Sequence, residues 1–154
     1  MLSNENSGWS FEDMLALWVL GVIQPTQLPE AAARALEEGL DSPSLRSLAG
    51  LEDWDSGRGA LLLERAMAEL GLRAPDQGEA ARRLARQISR RIIDGDLEAL
   101  KGARTLAEIS RAVESPGFHD LDVFVYADSE AEDRPEDRQL FVERILSEAR
   151  KWTE

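Results

Sequence analysis

Apolar positions recur at the helical period along most of the chain, and short polar or Gly/Pro stretches cut the pattern into segments. The first run, Phe11, Met14, Leu15, Leu17, Trp18, Val19, Leu20 and Val22, is apolar nearly all round, which predicts a central buried helix. Ser10 suits its N-cap, with Asp13 three positions on in a near capping-box arrangement, and Gly21 suits its end. "PEAAARALEEGL" reads as a second helix opened by Pro29 and closed by Gly39. "DSPSLRSLAGL" repeats the logic with Ser42 as cap, Pro43 at the first turn and Gly50 as stop. A further helix is expected from about Ala60 to Leu70, ahead of Gly71.

Ala81, Leu84, Ala85, Ile88 and Ile92 make Gln77 to Asp94 the clearest amphipathic segment, expected to pack on the first helix. Gly95 closes it, and Asp96 is expected to cap "LEALKGARTLAEISRAV", which keeps helical spacing despite Gly102. "LDVFVYA", residues 121–127, has the composition of a strand, yet Leu121, Phe124 and Val125 sit at helical spacing and no second strand offers itself as partner. A helix is the better assignment. The last helix is expected to open at Pro135, with Asp133 at or next to its N-cap, and to turn Leu140, Phe141, Ile145, Ala149 and Trp152 inward. The pattern predicts an all-α fold: a flexible N-terminus over residues 1–9, then one compact domain over 10–154 with six to eight helices around the apolar N-terminal one.

Composition supports that reading. The 154 residues, 43% apolar and 31% charged, suit a single globular core rather than a disordered chain. Cysteine is absent, so disulfides and thiolate chemistry are excluded. Glu5, Glu12 and Asp13 stand where a secretory signal would need positive charge. The apolar run Met14 to Ile23 is also well short of the roughly 20 residues that span a bilayer. A cytoplasmic chain with no membrane partner is expected. The net charge of −12 argues against nucleic-acid binding, which draws on clustered Lys and Arg. Residues 1–72 carry 4 basic and 12 acidic groups, 73–111 carry 9 and 6, and 112–154 carry 5 and 12, so only the middle is basic.

Four stretches invite chemical readings. In "DWDSGRGALLLE", Asp53, Asp55 and Glu64 echo a calcium loop, but Gly57 and Arg58 occupy positions where that loop needs a ligand and a glycine. A polar loop with Trp54 anchored on the core fits better. "DGD", Asp94 to Asp96, reads as helix end, turn and cap rather than as paired catalytic carboxylates. His119, the one histidine, lies beside Asp120 and Asp122 and could serve as a general base, although no nucleophile motif accompanies it. Arg82, Arg83, Arg86 and Arg90 gather opposite the apolar stripe of their helix, a face able to receive phosphate or carboxylate groups or the chain's own acids.

"DSEAEDRPEDR", Asp128 to Arg138, holds six acids and two arginines without metal-cage spacing. Pro135, Glu136 and Asp137 suit a helix start, where acids meet exposed amides. Asp128, Glu130 and Glu132 are left over, to face solvent, the Arg82–Arg90 face or a basic partner.

Three blocks, "LPEAAARALEEGLDSPSLRSLAGL", "AARRLARQISRRIIDGDLEALKGARTLAEI" and "FVYADSEAEDRPEDRQLFVERILSEARK", resemble in their order an uncharacterised group of small acidic bacterial helical proteins. In that group an "EEGxDSPSLRELAGL"-like, an "IxxGxxxPxxGAxxI"-like and an acidic "ASExED" block follow one another. The chain departs at "DLEALKGA", where the group tends to place an aromatic before "GA". The resemblance implies a fold and a bacterial origin, with no catalytic residue or cofactor.

The expected function is therefore a non-enzymatic interaction module whose acidic surface takes a basic protein partner, in an immunity-like or adaptor role. The competing reading is a ligand binder or enzyme with its site near His119 and neighbouring carboxylates, or on the arginine face. No cofactor is expected, and a homo-oligomer is a third alternative.

Overall fold

The computed structural model describes residues 8–52 and 56–154, so the proposed calcium loop at Asp53 and Asp55, and Trp54 with it, lie outside the described residues. The fold is all-α: eight α-helices and two short 3-10 turns, with no strand among the described residues. Contacts divide the chain into two compact units, Met1–Asp76 and Gln77–Glu154.

In the first unit, helix α1 spans Phe11–Val19, α2 Leu28–Glu37, α3 Pro43–Ala49 and α4 Ser56–Leu70. The cap signals act as expected. Ser10 Oγ accepts the Asp13 N–H at 3.1 Å while Asp13 accepts the Ser10 N–H at 3.1 Å, a complete capping box. Gly21, Gly39 and Gly71 each take a positive φ (71°, 96° and 69°) just past a helix, a conformation other residues adopt only with strain. Met14, Ala16 and Leu17 of α1 are fully buried, as their all-round apolar pattern requires. Trp9 is 1% exposed, so the core begins inside the segment that the sequence left as flexible N-terminus. Its carbonyl accepts a hydrogen bond from Arg34 Nη1. The fourth helix opens at Ser56, about one turn earlier than expected.

Two carboxylates hold helix starts in this unit. Glu38, at the end of α2, accepts the Phe11 N–H at 2.9 Å. Glu69, near the end of α4, accepts the Ser44 hydroxyl at 2.6 Å and the Ser44 N–H at 3.0 Å, within the first turn of α3. Each places negative charge where helical amides lack partners. Bonds from the Ser44 hydroxyl first, and then from its backbone N–H, hold the Glu69 carboxyl below the usual carboxylate range. A carboxyl with a lowered folded pKa contributes stability above its unfolded pKa and loses it as pH falls through the folded value. Glu69→Gln should therefore lower the melting temperature near neutral pH, with the gap to the native chain closing on acidification. Thermal melts at stepped pH check this, and a gap that widens in acid would count against the clamp.

In the second unit, α5 spans Gln77–Ile93, α6 Ala99–Ala112, α7 Asp122–Asp133 and α8 Arg138–Thr153. The principal packed pairs are α5 with α8, α6 with α7, and α7 with α8. Residues 122–127 are helical, as spacing rather than composition indicates. Two boundaries differ from expectation. Asp96 does not cap α6: its N–H, at 2.9 Å, and that of Leu97, at 3.1 Å, bond back to the Arg91 carbonyl, so the turn after Gly95 runs on and α6 opens after Glu98. The last helix opens at Arg138, after a 3-10 turn at Pro135–Asp137. Its buried stripe is Phe141, Ile145 and Ala149, and Leu140, expected inside, is 44% exposed.

Candidate functional site

The acidic segment "DSEAEDRPEDR" spans the end of α7, the 3-10 turn and the first residue of α8. The break has a local cause. The residue before a proline is pushed out of the helical region, and Arg134, ahead of Pro135, sits at φ −132°, ψ 67°. Asp128, Glu130, Glu132 and Asp133 therefore occupy the C-terminal half of α7, where the helix dipole disfavours negative charge by a few tenths to about 1 kcal/mol per group.

Arginines offset that disadvantage. Arg104 of α6 donates to Glu132 Oε1 at 2.6 Å through Nη2 and to Asp128 Oδ1 at 3.4 Å through Nε. Arg111, two turns further along α6, approaches Asp128 Oδ2 at 3.9 Å. Arg134 reaches back to Glu130 at 3.7 Å and forward to Asp137 at 2.5 Å, with its guanidinium 5.5 Å from the Phe141 ring centre. Arg138 donates to Glu98 Oε1 at 2.8 Å, joining the start of α8 to the residue ahead of α6. The leftover acids thus face arginines of their own chain, and those arginines come from α6 and the α7–α8 turn rather than from Arg82–Arg90.

Between these pairs lies a cleft of about 260 Å³, lined by Glu98, Leu100, Lys101, Arg104, Asp128, Ala131, Glu132 and Arg138. Exposed ion pairs contribute at most about 1 kcal/mol each. Their effect here is chiefly geometric, since two arginines are fixed across three helices. Lys101, on the exposed side of α6, has no ion-pair partner among the described residues.

The other candidates lie outside this cleft. Arg82 pairs with Asp120 at 3.5 Å, while Arg86 and Arg90 are exposed on α5 without an ion-pair partner among the described residues. The His119 side chain is 71% exposed, with Nδ1 3.1 Å from Asp122 Oδ2. Asp94 and Asp96 flank Gly95, whose φ of 82° makes the predicted turn. Sequence reasoning missed Glu98, Lys101, Arg104 and Arg138 as site residues. The one available signal was that Lys101, Arg104 and Arg111 fall within eleven residues at the end of the basic middle of an otherwise acidic chain.

No known protein family, curated protein or solved structure matches the chain. Among the described residues no group of three or more His, Asp and Glu side chains is placed to hold a metal ion, and no helix is long and apolar enough to cross a membrane. Chemically, the cleft presents the guanidinium N–H groups of Arg104 and Arg138, the Lys101 ammonium, the carboxylates of Glu98, Asp128 and Glu132, and the apolar surfaces of Leu100 and Ala131.

Proposed function

We propose that this chain is a non-enzymatic interaction module that takes a basic protein partner on the acidic exterior of its first unit, in an immunity-like or adaptor role. The supporting observation is where the unneutralised charge lies. Residues 1–76 hold 13 acidic and 5 basic side chains, a net −8, whereas the acids of "DSEAEDRPEDR" are largely matched by Arg104, Arg111 and Arg134. Glu52 and Glu64 are exposed and have no ion-pair partner among the described residues. Such a surface attracts a cationic partner at long range, accelerates its association and repels acidic competitors.

The experiment is a pull-down from bacterial lysate with the native chain and with a Glu52→Lys/Glu64→Lys variant, at low and at high salt. A basic protein retained by the native chain at low salt, weakened by the variant and released by salt, is the expected result, because exposed charges are screened beyond about 10 Å at 0.1 M salt. Equal retention by both chains, or no salt-sensitive partner, would sink the reading.

A further inference from the structure

We infer that the cleft between α6 and the α7–α8 turn binds a small organic anion through Lys101, Arg104 and Arg138. The inference stands apart from the acidic-surface reading and does not rest on it. Charge at the cleft differs from that of the chain as a whole. The lining sets Lys101, Arg104 and Arg138 against Glu98, Asp128 and Glu132, and Arg111, outside the lining, also approaches Asp128 at 3.9 Å, so within a chain of net −12 this recess carries no excess negative charge. The carboxylates orient the two arginines. Glu132 and Asp128 hold Arg104 from the α7 side through Nη2 and Nε, and Glu98 holds Arg138 through one Nη2 bond, which leaves further N–H donors on each planar fork.

An arginine already oriented in this way loses little side-chain freedom when a ligand arrives. Lys101 supplies a positive charge with no ion-pair partner among the described residues. An oxyanion placed among the three cations gains charge-assisted hydrogen bonds, and Leu100 and Ala131 offer apolar surface to the ligand's carbon skeleton. The volume of about 260 Å³ lies just below the range of about 300–1,000 Å³ usual for ligand pockets, which limits the ligand to a few carbons beyond its anionic group. The shared chemistry is a carboxylate or phosphate group on a small body.

The test is an NMR titration of the full chain with inorganic phosphate and, separately, with succinate, ionic strength being held constant with chloride. Saturable shifts at the amides of Lys101, Arg104, Glu132 and Arg138 are expected with at least one probe. Saturation by phosphate alone assigns the site to phosphorylated ligands, and by succinate alone to carboxylates. Lys101→Gln should raise the apparent Kd about tenfold or more, the scale of one charged hydrogen bond. Lys151→Gln, at the far end of α8 beside Glu148, should leave it unchanged. Lys101 is exposed and unpaired, so the spectrum of its variant away from the cleft reports an intact fold. No saturable shift with either probe, or an unchanged Kd in Lys101→Gln, overturns the inference.

Discussion

Phe141→Ala should lower the unfolding free energy by about 3–5 kcal/mol, the scale for truncating a fully buried aromatic ring. Phe141 is 1% exposed on the inner stripe of α8. Its ring meets Tyr126 of α7 in an edge-to-face arrangement, centroids 6.4 Å apart at 67°, and lies 5.5 Å from the Arg134 guanidinium. Truncation removes the transfer free energy of the ring and leaves a cavity that the backbones of α7 and α8 can fill only in part. The same ring fixes the hairpin that carries Asp128 and Glu132 to Arg104, so amide exchange should accelerate along α7 as well as α8. Chemical denaturation with an unchanged m-value checks the magnitude. A loss below about 1 kcal/mol would mean that the α7–α8 seam does not depend on this ring.

Local signals were legible in the sequence, and interhelical ones were not. Ser10 with Asp13, Ser42 with Pro43, and the glycines at 21, 39, 71 and 95 mark helix ends because a cap or a left-handed turn needs only residues within one turn of itself. Proline favours the opening of a helix, yet the stronger local effect of Pro135 falls on Arg134, which it forces out of α7. Starting α8 at Arg138 puts Phe141, Ile145 and Ala149 on the buried face and turns Leu140 about 100° away from it. The cleft depends on pairs separated by 24, 28 and 40 residues, Arg104 with Asp128, Arg104 with Glu132, and Arg138 with Glu98. Nothing in a single sequence says which arginine an acid will meet across a helix interface. Composition showed that acids and arginines were plentiful, and only packing chose the partners.

Valine at Gly102 should destabilise the chain by about 2–3 kcal/mol and alanine by about 1 kcal/mol, against the direction helix propensity alone dictates. Within a helix, alanine is favoured over glycine by about 1 kcal/mol, so a gain would follow if the site were open. It is closed: a Cβ there would sit 2.4 Å from Ile92 Cδ1 and 2.7 Å from Ile92 Cγ1, with Leu97 Cδ2 at 3.4 Å. Ile92 is 4% exposed and the last buried residue of α5, so it has little free volume into which to retreat. Gly102 therefore permits the close approach of α5 to α6 just beyond Lys101, and the extended turn at Gly95 delivers Leu97 to the same spot. Ile92→Ala removes both close atoms, Cδ1 and Cγ1, and costs about 2–5 kcal/mol alone. In that background Gly102→Ala should become neutral or stabilising, a coupling of about 1 kcal/mol that a double-mutant cycle in denaturant would resolve. Additive effects would place the strain elsewhere. Because Lys101 precedes Gly102 on α6, the same alanine variant should also shift the cleft amides before any ligand is added.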